Sequence, residues 1–277
     1  MNRFPFTKID HPVTHILAAT DSAVAVQRAA DFAKHSSARL TLVHVGGWRK
    51  ASGDRQVLLQ READVIRARY GISVEFVLAK GIAHIEVANI AQRLRADLVV
   101  TGFRGGWLRD LLGGSTAQRI RRRVSVPVLA VKARRPWPYR RILWAVEPGN
   151  DTQCAARRLV GLFPEARVRV LHACNPVWDG KLAFAGVDGR LRATLNDQAL
   201  VKAMMELDRW LPATVLRAAY RRIVIGSPVS AILEQANMEP PDLTVLGPSE
   251  KSWLERSIAG SVIQAVAPHL PGDALLL

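Results

Sequence analysis

Short apolar runs alternate with longer stretches of helical periodicity along each half of the chain. Five runs in the first half are rich in valine, leucine and isoleucine and lack the polar alternation of a half-exposed strand; they read ILAAT, LTLVHV, VEFVLA, LVVTG and VPVLAV. This pattern is typical of strands buried on both faces. The stretch between the first two runs has apolar residues at helical spacing, which are Val24, Ala25, Ala29, Phe32 and Ala33. Strands alternating with helices predict an α/β fold with a five-stranded parallel sheet flanked by helices.

The second half of the chain repeats the first. Five segments recur in the same order: HILAATD (15–21) resembles RILWAVE (141–147), LTLVHV (40–45) resembles VRVLHA (168–173), KGIAHIEVANIAQ (80–92) resembles IGSPVSAILEQAN (225–237), DLVVTG (97–102) resembles DLTVLG (242–247), and GGSTAQRI (113–120) resembles AGSVIQAV (259–266). The spacing between matching segments grows along the chain, so the second half carries an insertion. The basic, proline-bearing run KARRPWP is the predicted linker between a domain at 1–135 and a second at 139–277.

A glycine-rich segment, TGFRGGWLRDLLGGST, includes the end of the fourth run. Parallel sheets bind ligands beyond the carboxyl ends of their strands, where the strand order reverses. Gly102 and Gly105 permit positive φ and close approach to a ligand, and a helix beginning near Gly114 presents backbone N–H groups. Ser115 or Thr116 either caps this helix or binds a phosphate oxygen. The segment is therefore a phosphate cradle or a tight turn with a capped helix.

Two polar residues lie at the ends of the first two predicted strands. Asp21 is placed to accept a hydrogen bond from a sugar hydroxyl or an adenine amino group, and it is equally placed to cap the helix that begins near Ser22. His44, near the end of LVHV, is expected to pack or hydrogen-bond there rather than to catalyse.

These features together resemble the universal stress protein family in its tandem two-domain form. The resemblance rests on a first strand ending in Thr20 and Asp21, the strand LVHV, a fourth strand running into a glycine loop, a Gly-Ser-Thr helix start and the closing VPVLAVK. The family's nucleotide loop is glycine, two residues, glycine, nine residues, glycine, then serine or threonine. Gly102, Gly105 and Gly114 match its glycines, but eight residues separate Gly105 from Gly114, one fewer than in the family.

The resemblance implies two Rossmann-like domains of the adenine-nucleotide alpha hydrolase-like type, with an ATP site and accompanying Mg²⁺ in the first. The family's matching aspartate faces the adenosine, so Asp21 is assigned that role; Val45 is implied to offer backbone contacts to the base, and Thr101 to line its pocket. The implied binding residues are Thr20, Asp21, Val45, Thr101, Gly102, Gly105, Gly114, Ser115 and Thr116. The implied action is regulatory or protective, with ATP as a signal or at most a slowly hydrolysed ligand.

The second half departs from the family pattern. Glu147 stands at the aspartate position, and Glu250 replaces the second loop glycine, two residues after Pro248. A carboxylate there repels phosphate, and proline removes one backbone donor. The second domain is therefore expected to bind ATP poorly or not at all and to act structurally. Because family domains pair through their last strands, the closing run DALLL is implied to pair with the first half, and a homodimer is a further implication.

The charge distribution supports an alternative function. The formal net charge is +15, and nine basic residues lie between Arg119 and Arg141 with no acidic residue among them. Such a surface attracts an acidic protein, RNA or an anionic membrane. The alternative to nucleotide binding is thus an interaction module that docks an acidic partner through a basic face. A solvated helix end and linker would have the same composition.

Other classes of protein are disfavoured. No run approaches the ~18 apolar residues of a membrane span, and two cysteines do not make a disulfide framework, which favours a reduced, cytoplasmic setting. The seven histidines show no metal-ligand spacing. The Gly-x-Ser-x-Gly, His-Glu-x-x-His, Cys-x-x-Cys and Walker A motifs are absent, so a dedicated enzyme, such as an adenylyl-transferring one, is not favoured.

Overall fold

The computed structural model of the chain describes residues 13–20, 22–46, 52–103, 126–132, 137–174, 189–213, 215, 219–247 and 262–277. The chain divides into two compact units. The first comprises residues 1–137 together with 272–277, and the second comprises residues 138–271.

Strands and helices alternate along the described ranges of the first unit as far as the fourth strand. The elements of this unit are β1 (His15–Ala19), α1 (Ala23–Ser36), β2 (Arg39–Gly46), α2 (Ser52–Tyr70), β3 (Val74–Lys80), α3 (Ala83–Arg93), β4 (Leu98–Gly102), β5 (Val128–Val131) and β10 (Asp273–Leu276). Their order in the sheet is β3-β2-β1-β4-β5-β10. The first five are parallel. The order reverses between β1 and β4, which is where ligands bind in sheets of this kind.

The strand that completes the first unit's sheet comes from the closing run DALLL. In β10, Ala274 lies opposite Ala130 and Leu275 opposite Leu129, in an antiparallel ladder with β5. The sequence placed this run in the second domain as a strand that pairs with the first half, and the pairing with β5 is observed. The otherwise parallel sheet thereby gains one antiparallel strand.

A buried ion pair connects β10 to α1. The Nε of Arg28 lies 3.7 Å from Oδ2 of Asp273, and the two side chains are 3% and 0% exposed. Oδ1 of Asp273 accepts a hydrogen bond of 2.8 Å from the backbone N–H of Lys132, the residue after β5. The Arg28 guanidinium also lies 5.6 Å from the centre of the Trp137 ring, which packs 5.0 Å from the ring of Phe32. Charge and aromatic packing thus hold β10 against α1 and β5.

Helix α1 shows why the apolar periodicity was a correct guide. Ser22 caps its start by accepting a hydrogen bond from the N–H of Ala25, and the left-handed Ser37 ends it at φ 53°. Ala25, Ala29, Phe32 and Ala33 are buried as the spacing predicts, whereas Val24 is half-buried. The buried Arg28 on the same face is the residue that an apolar pattern does not anticipate.

The second unit repeats this arrangement. Its elements are β6 (Arg141–Ala145), α4 (Thr152–Leu162), β7 (Arg167–Cys174), α5 (Gly189–Trp210), β8 (Tyr220–Ile225), α6 (Pro228–Met238), β9 (Leu243–Leu246), α7 (Val262–Val266) and a 3₁₀ turn (Ala267–His269). The strands of this unit lie in the order β9-β6-β7-β8 and are parallel. The matching segments occupy matching places, so β6, β7, β8 and β9 correspond to β1, β2, β3 and β4.

An aspartate at the same position in each unit shows how closely the two units correspond. Oδ2 of Asp97 accepts from the backbone N–H groups of Thr14 and His15 at the start of β1. Oδ2 of Asp242 accepts in the same way from Arg140 and Arg141 at the start of β6. Although burial acts in the opposite direction, these hydrogen bonds hold the pKa of the Asp242 carboxyl below its ordinary value. The aspartate that opens each DLxVxG segment thus fixes the first strand of its unit beside the fourth.

The two units differ in side-chain volume beside the strand ends. Trp144 in β6 is fully buried, and its Nε1–H donates a 2.7 Å hydrogen bond to the carbonyl of Gly247, just after β9. The matching residue in β1 is Ala18, also fully buried. Gly247 itself has φ +103°, a conformation that strongly favours glycine. An indole therefore occupies the second unit where the first has a methyl group.

The α/β architecture of parallel strands and flanking helices in two tandem repeats is confirmed. No helix in the described ranges is both long and apolar enough to cross a bilayer.

Candidate functional site

The candidate site lies at the carboxyl ends of three neighbouring strands in the first unit. Strand β1 lies between β2 and β4, with Ala19 opposite Val43 and Ala18 opposite Val100. Thr20 follows β1, and its N–H donates to the carbonyl of Val43 at 3.0 Å. The structure therefore places residues that follow or end these strands at one edge of the sheet.

Four of the binding residues predicted from the sequence lie at this edge. Thr20 follows β1, Val45 is the penultimate residue of β2, and Thr101 and Gly102 end β4. Thr101 is fully buried; Thr20 and Val45 are partly exposed. The remaining predicted residues lie outside the described ranges: they are Asp21, Gly105, Gly114, Ser115 and Thr116.

His44, in β2, connects Thr20 after β1 with Arg55 in α2. Its Nδ1 lies 3.0 Å from Oγ1 of Thr20, and its Nε2 accepts from Nε of Arg55 in the first turn of α2 at 3.2 Å. The second terminal nitrogen of Arg55 lies 3.1 Å from the same Nδ1. A neutral imidazole can accept an N–H from the guanidinium, whereas the charged ring, protonated on both nitrogens, cannot. Burial, and then the charge of Arg55, lower the pKa of His44, which favours this neutral form. The expected hydrogen bonding of His44 at the strand end is observed.

A second cation lies on the other side of the point where the strand order reverses. The Nζ of Lys132, directly after β5, is 4.4 Å from the centre of the Phe103 ring. Phe103 follows Gly102, and its N–H donates to the carbonyl of Val131 at 2.8 Å. A lysine held over an aromatic face in this way is a cation–π contact. The described part of the edge thus has a cation on each flank, Arg55 beside β2 and Lys132 beside β5.

Arg55 and the Lys132–Phe103 contact are parts of this edge that the sequence pattern does not identify. A signal existed for Lys132, because it directly follows the run VPVLAV, whose carboxyl end belongs to the same edge. No comparable signal existed for Arg55, since its position depends on how α2 packs against α1 and β3.

The matching edge of the second unit has different chemistry. His172, the counterpart of His44, has its Nδ1 3.0 Å from the carbonyl of Val146, which occupies the position of Thr20 and has no hydroxyl. The carbonyl of Glu147 accepts a 3.4 Å hydrogen bond from Oγ1 of Thr152. Pro248 and Glu250 lie outside the described ranges. The described residues at this edge therefore provide apolar Val146 where the first unit has Thr20, and a glutamate, one methylene longer, where it has Asp21.

Metal binding by protein side chains alone receives no support from the described ranges. Within them, no three histidine, cysteine, aspartate or glutamate side chains cluster as metal ligands. Cys154 and Cys174 are both thiols, and burial raises the pKa of the Cys174 thiol.

Acidification is expected to destabilise the protein below about pH 6.5. Burial is the main cause that lowers the pKa of His15, His44 and His172 from the ordinary 6.5. The unfolded chain then binds more protons than the folded one, so the stabilisation is complete above pH 6.5 and is lost as the pH falls toward the lowered values. Burial raises the pKa of Glu62 above its ordinary 4.5. The folded chain therefore binds more protons at this residue than the unfolded chain does, which partly offsets the loss of stability as the pH falls.

Urea denaturation at pH 7.5, 6.5 and 5.5 measures this effect. The free energy of unfolding should fall with pH, and replacing His172 with glutamine should reduce the slope. A free energy that is equal or higher at pH 5.5 would contradict the prediction.

The fold and this edge define a tandem Rossmann-like α/β protein. A sequence model of the universal stress protein family matches residues 12–132 and, a second time, residues 138–277. The chain therefore belongs to the universal stress protein family, as a tandem two-domain member. A search of curated proteins found no significant match.

Solved structures support the same fold. A putative universal stress protein from Pseudomonas aeruginosa is 21% identical, with a TM-score of 0.66 over 96% of this chain and 93% of that chain. A functionally unknown protein from Pseudomonas aeruginosa PAO1 is 20% identical, with a TM-score of 0.63 over 96% and 92%. A universal stress protein from Archaeoglobus fulgidus is 16% identical, with a TM-score of 0.61 over 95% of each chain. At these identities the likeness concerns the fold alone.

Proposed function

We propose that the first unit binds an adenine nucleotide, ATP with Mg²⁺, and that the protein acts as a regulatory or protective protein of its family, at most hydrolysing ATP slowly. The observation that carries the proposal is the meeting of β1, β2 and β4 at the reversal of strand order, with Gly102 ending β4. A glycine at such an edge suits an anionic ligand, because it lets the ligand approach the backbone closely. The flanking cations, Arg55 and Lys132, give this edge a positive potential.

Each proposed binding residue has a distinct part. Asp21 accepts from the nucleoside, the backbone of Val45 contacts the base, and the side chains of Thr20 and Thr101 line the pocket. The phosphates lie against the glycine segment; its proposed contributors are Gly102, Gly105, Gly114, Ser115 and Thr116. A metal ion bound with ATP would be held mainly by the phosphates, and it would neutralise part of their charge.

The second unit is proposed to bind no nucleotide. Val146 provides no hydroxyl where the first unit has Thr20. The Trp144 indole fills space that Ala18 leaves to neighbouring groups, and it engages the carbonyl of Gly247 directly. A single ATP per chain is therefore expected.

The first test replaces Gly114 with aspartate. The wild type should bind ATP with Mg²⁺ in calorimetry, and ATP at a hundred times its Kd should stabilise the fold by about 2.7 kcal/mol. The added carboxylate should weaken binding by at least about tenfold, since like charges repel and a side chain blocks close approach. The matched control is Gly161→Asp on α4, where a Cβ meets nothing within 4 Å.

Two results would contradict the proposal. One is that the wild type releases no heat on mixing with ATP, and the other is that Gly114→Asp has the same melting temperature with ATP as the wild type has. An effect equal to that of Gly161→Asp would show that added charge, rather than the site, is responsible.

The alternative function, docking of an acidic protein or RNA through the basic run, receives no specific support from the described residues. Within this run, Arg140 pairs with Glu165, Arg141 pairs with Asp242, and Lys132 lies over Phe103. The other basic residues of the run lie outside the described ranges, so this function stays a prediction of the sequence.

A further inference from the structure

An exposed arginine at the β2 end of the candidate site is bound to a neutral partner instead of an acid. The Nε of Arg55 donates to Nε2 of His44 at 3.2 Å, and its second terminal nitrogen lies 3.1 Å from Nδ1 of the same ring. In the described part of the chain Arg55 forms no ion pair. Its charge reaches Glu62, where it opposes the rise in pKa that burial causes, but the two side chains form no salt bridge. Among the described residues, no carboxylate therefore compensates the guanidinium charge at short range.

The position of Arg55 sets which part of a ligand it would meet. Neighbouring strands lie about 4.8 Å apart, so the end of β2 is roughly 10 Å from the end of β4 across β1. A nucleotide whose phosphates lie at the glycine segment after β4 extends its uncharged base over β1 toward β2. His44 directly precedes Val45 in β2, so the group held by His44 lies beside the proposed base contact.

The chemistry of the two planar groups fits this placement. A guanidinium is flat, delocalised and weakly hydrated, and it packs against aromatic rings, whereas a lysine ammonium is a compact and strongly hydrated charge. The contact to His44 is made to a neutral ring, so exchanging it for a contact to a neutral base breaks no salt bridge. Oγ1 of Thr20 and the second terminal nitrogen of Arg55 both contact Nδ1 of His44. Moving the guanidinium away therefore leaves Nδ1 to Thr20 alone.

We propose that Arg55 recognises the base by packing its guanidinium plane against the purine. His44 and Thr20 form the part of the pocket at the strand ends on which the purine lies. This inference rests on the proposed nucleotide site and adds to it a residue outside the glycine segment. Arg55 acts here as a binding residue for the uncharged part of the ligand, and not as a reader of phosphate charge.

The experiment compares three probes on two substitutions. Calorimetry measures the Kd of ATP, adenosine and inorganic triphosphate for the wild type, Arg55→Lys and Arg55→Gln. Lysine keeps the charge of arginine but lacks its planar group. Arg55→Lys should therefore weaken the binding of ATP and of adenosine by the same factor, about tenfold. The affinity for inorganic triphosphate should not change. The matched controls are Arg61→Lys and Arg61→Gln, at an exposed position on the same helix, and both should bind all three probes as the wild type does.

The outcomes separate this inference from the proposed function. One outcome is that the Arg55→Gln protein binds ATP and inorganic triphosphate more weakly while the Arg55→Lys protein binds both normally. Arg55 would then recognise phosphate charge, and the base-recognition role would be wrong. If the wild type binds ATP and neither substitution changes any Kd, this inference alone is lost. If the wild type binds neither ATP nor adenosine, both fall together. Melting temperatures without ligand should agree among all variants, because Arg55 is exposed; a lower value for the Arg55 variants would indicate a structural role instead.

Discussion

Replacing Asp273 with alanine is expected to destabilise the first unit by about 3–5 kcal/mol, the usual cost of removing one partner of a buried ion pair. Asp273 is fully buried, and its carboxylate faces the buried guanidinium of Arg28 at 3.7 Å. It also accepts the backbone N–H of Lys132. The substitution removes the carboxylate from a buried cation and an acceptor from a backbone donor at the same time.

Chemical denaturation of the full chain measures the loss, with an exposed ion pair as the control. Arg140 and Glu165 are 67% and 59% exposed, so Glu165→Ala should cost no more than about 1 kcal/mol. The double variant Arg28→Met with Asp273→Leu should recover much of the lost stability, because apolar side chains can replace a buried ion pair. Equal costs for Asp273→Ala and Glu165→Ala would show that the pair contributes little.

Replacing Trp144 with alanine is expected to destabilise the second unit by about 3–5 kcal/mol, because it leaves a large cavity in a closely packed core. The indole is fully buried and donates to the carbonyl of Gly247. Its loss removes packing from the centre of the β9-β6-β7-β8 sheet and a partner from the positive-φ residue that leads out of β9.

Trp144→Phe separates the two contributions. A phenyl ring retains much of the packing but cannot donate, so this variant should lose less than the alanine variant, including about 1–3 kcal/mol for the unmet carbonyl. Denaturation followed by far-ultraviolet circular dichroism measures both. A cost below about 1 kcal/mol for Trp144→Ala would mean that neighbouring groups collapse into the space.

The sequence predicted the central strands well, because β1, β4, β5 and β9 are buried on both faces and read as uninterrupted apolar runs. The prediction of burial on both faces is wrong for β3, which lies at the edge of the sheet and is largely half-buried or exposed. The sequence also showed the internal repeat, and with it the correspondence of Asp97 and Asp242, since each opens a matching segment. What it could not show were contacts between residues far apart in the chain. Arg28 interrupts an apolar helix face as any surface arginine would, and only its burial against Asp273 shows its role.

The residues of the candidate site also fall into two groups, those that the sequence pattern could place and those that it could not. Thr101 and Gly102 could be placed at the sheet edge because they end a recognisable strand. Arg55 could not, because the first turn of α2 reaches His44 only through the packing of the whole helix. Residues contributed by strands are readable from the pattern, and residues contributed by the flanking helices require the structure.

The membership of β10 in the first sheet has a consequence for biosynthesis. Asp273 is 141 residues downstream of Lys132, to which it is hydrogen-bonded. At a ribosomal rate of about 5–20 residues per second, β5 emerges roughly 7–30 s before the strand that covers it. Throughout that interval its outer backbone groups form an open edge, the kind of surface on which nascent chains associate. The amino-terminal half is therefore made first but completed last, and a chaperone that shields β5 during this interval would act on the most vulnerable moment of its folding.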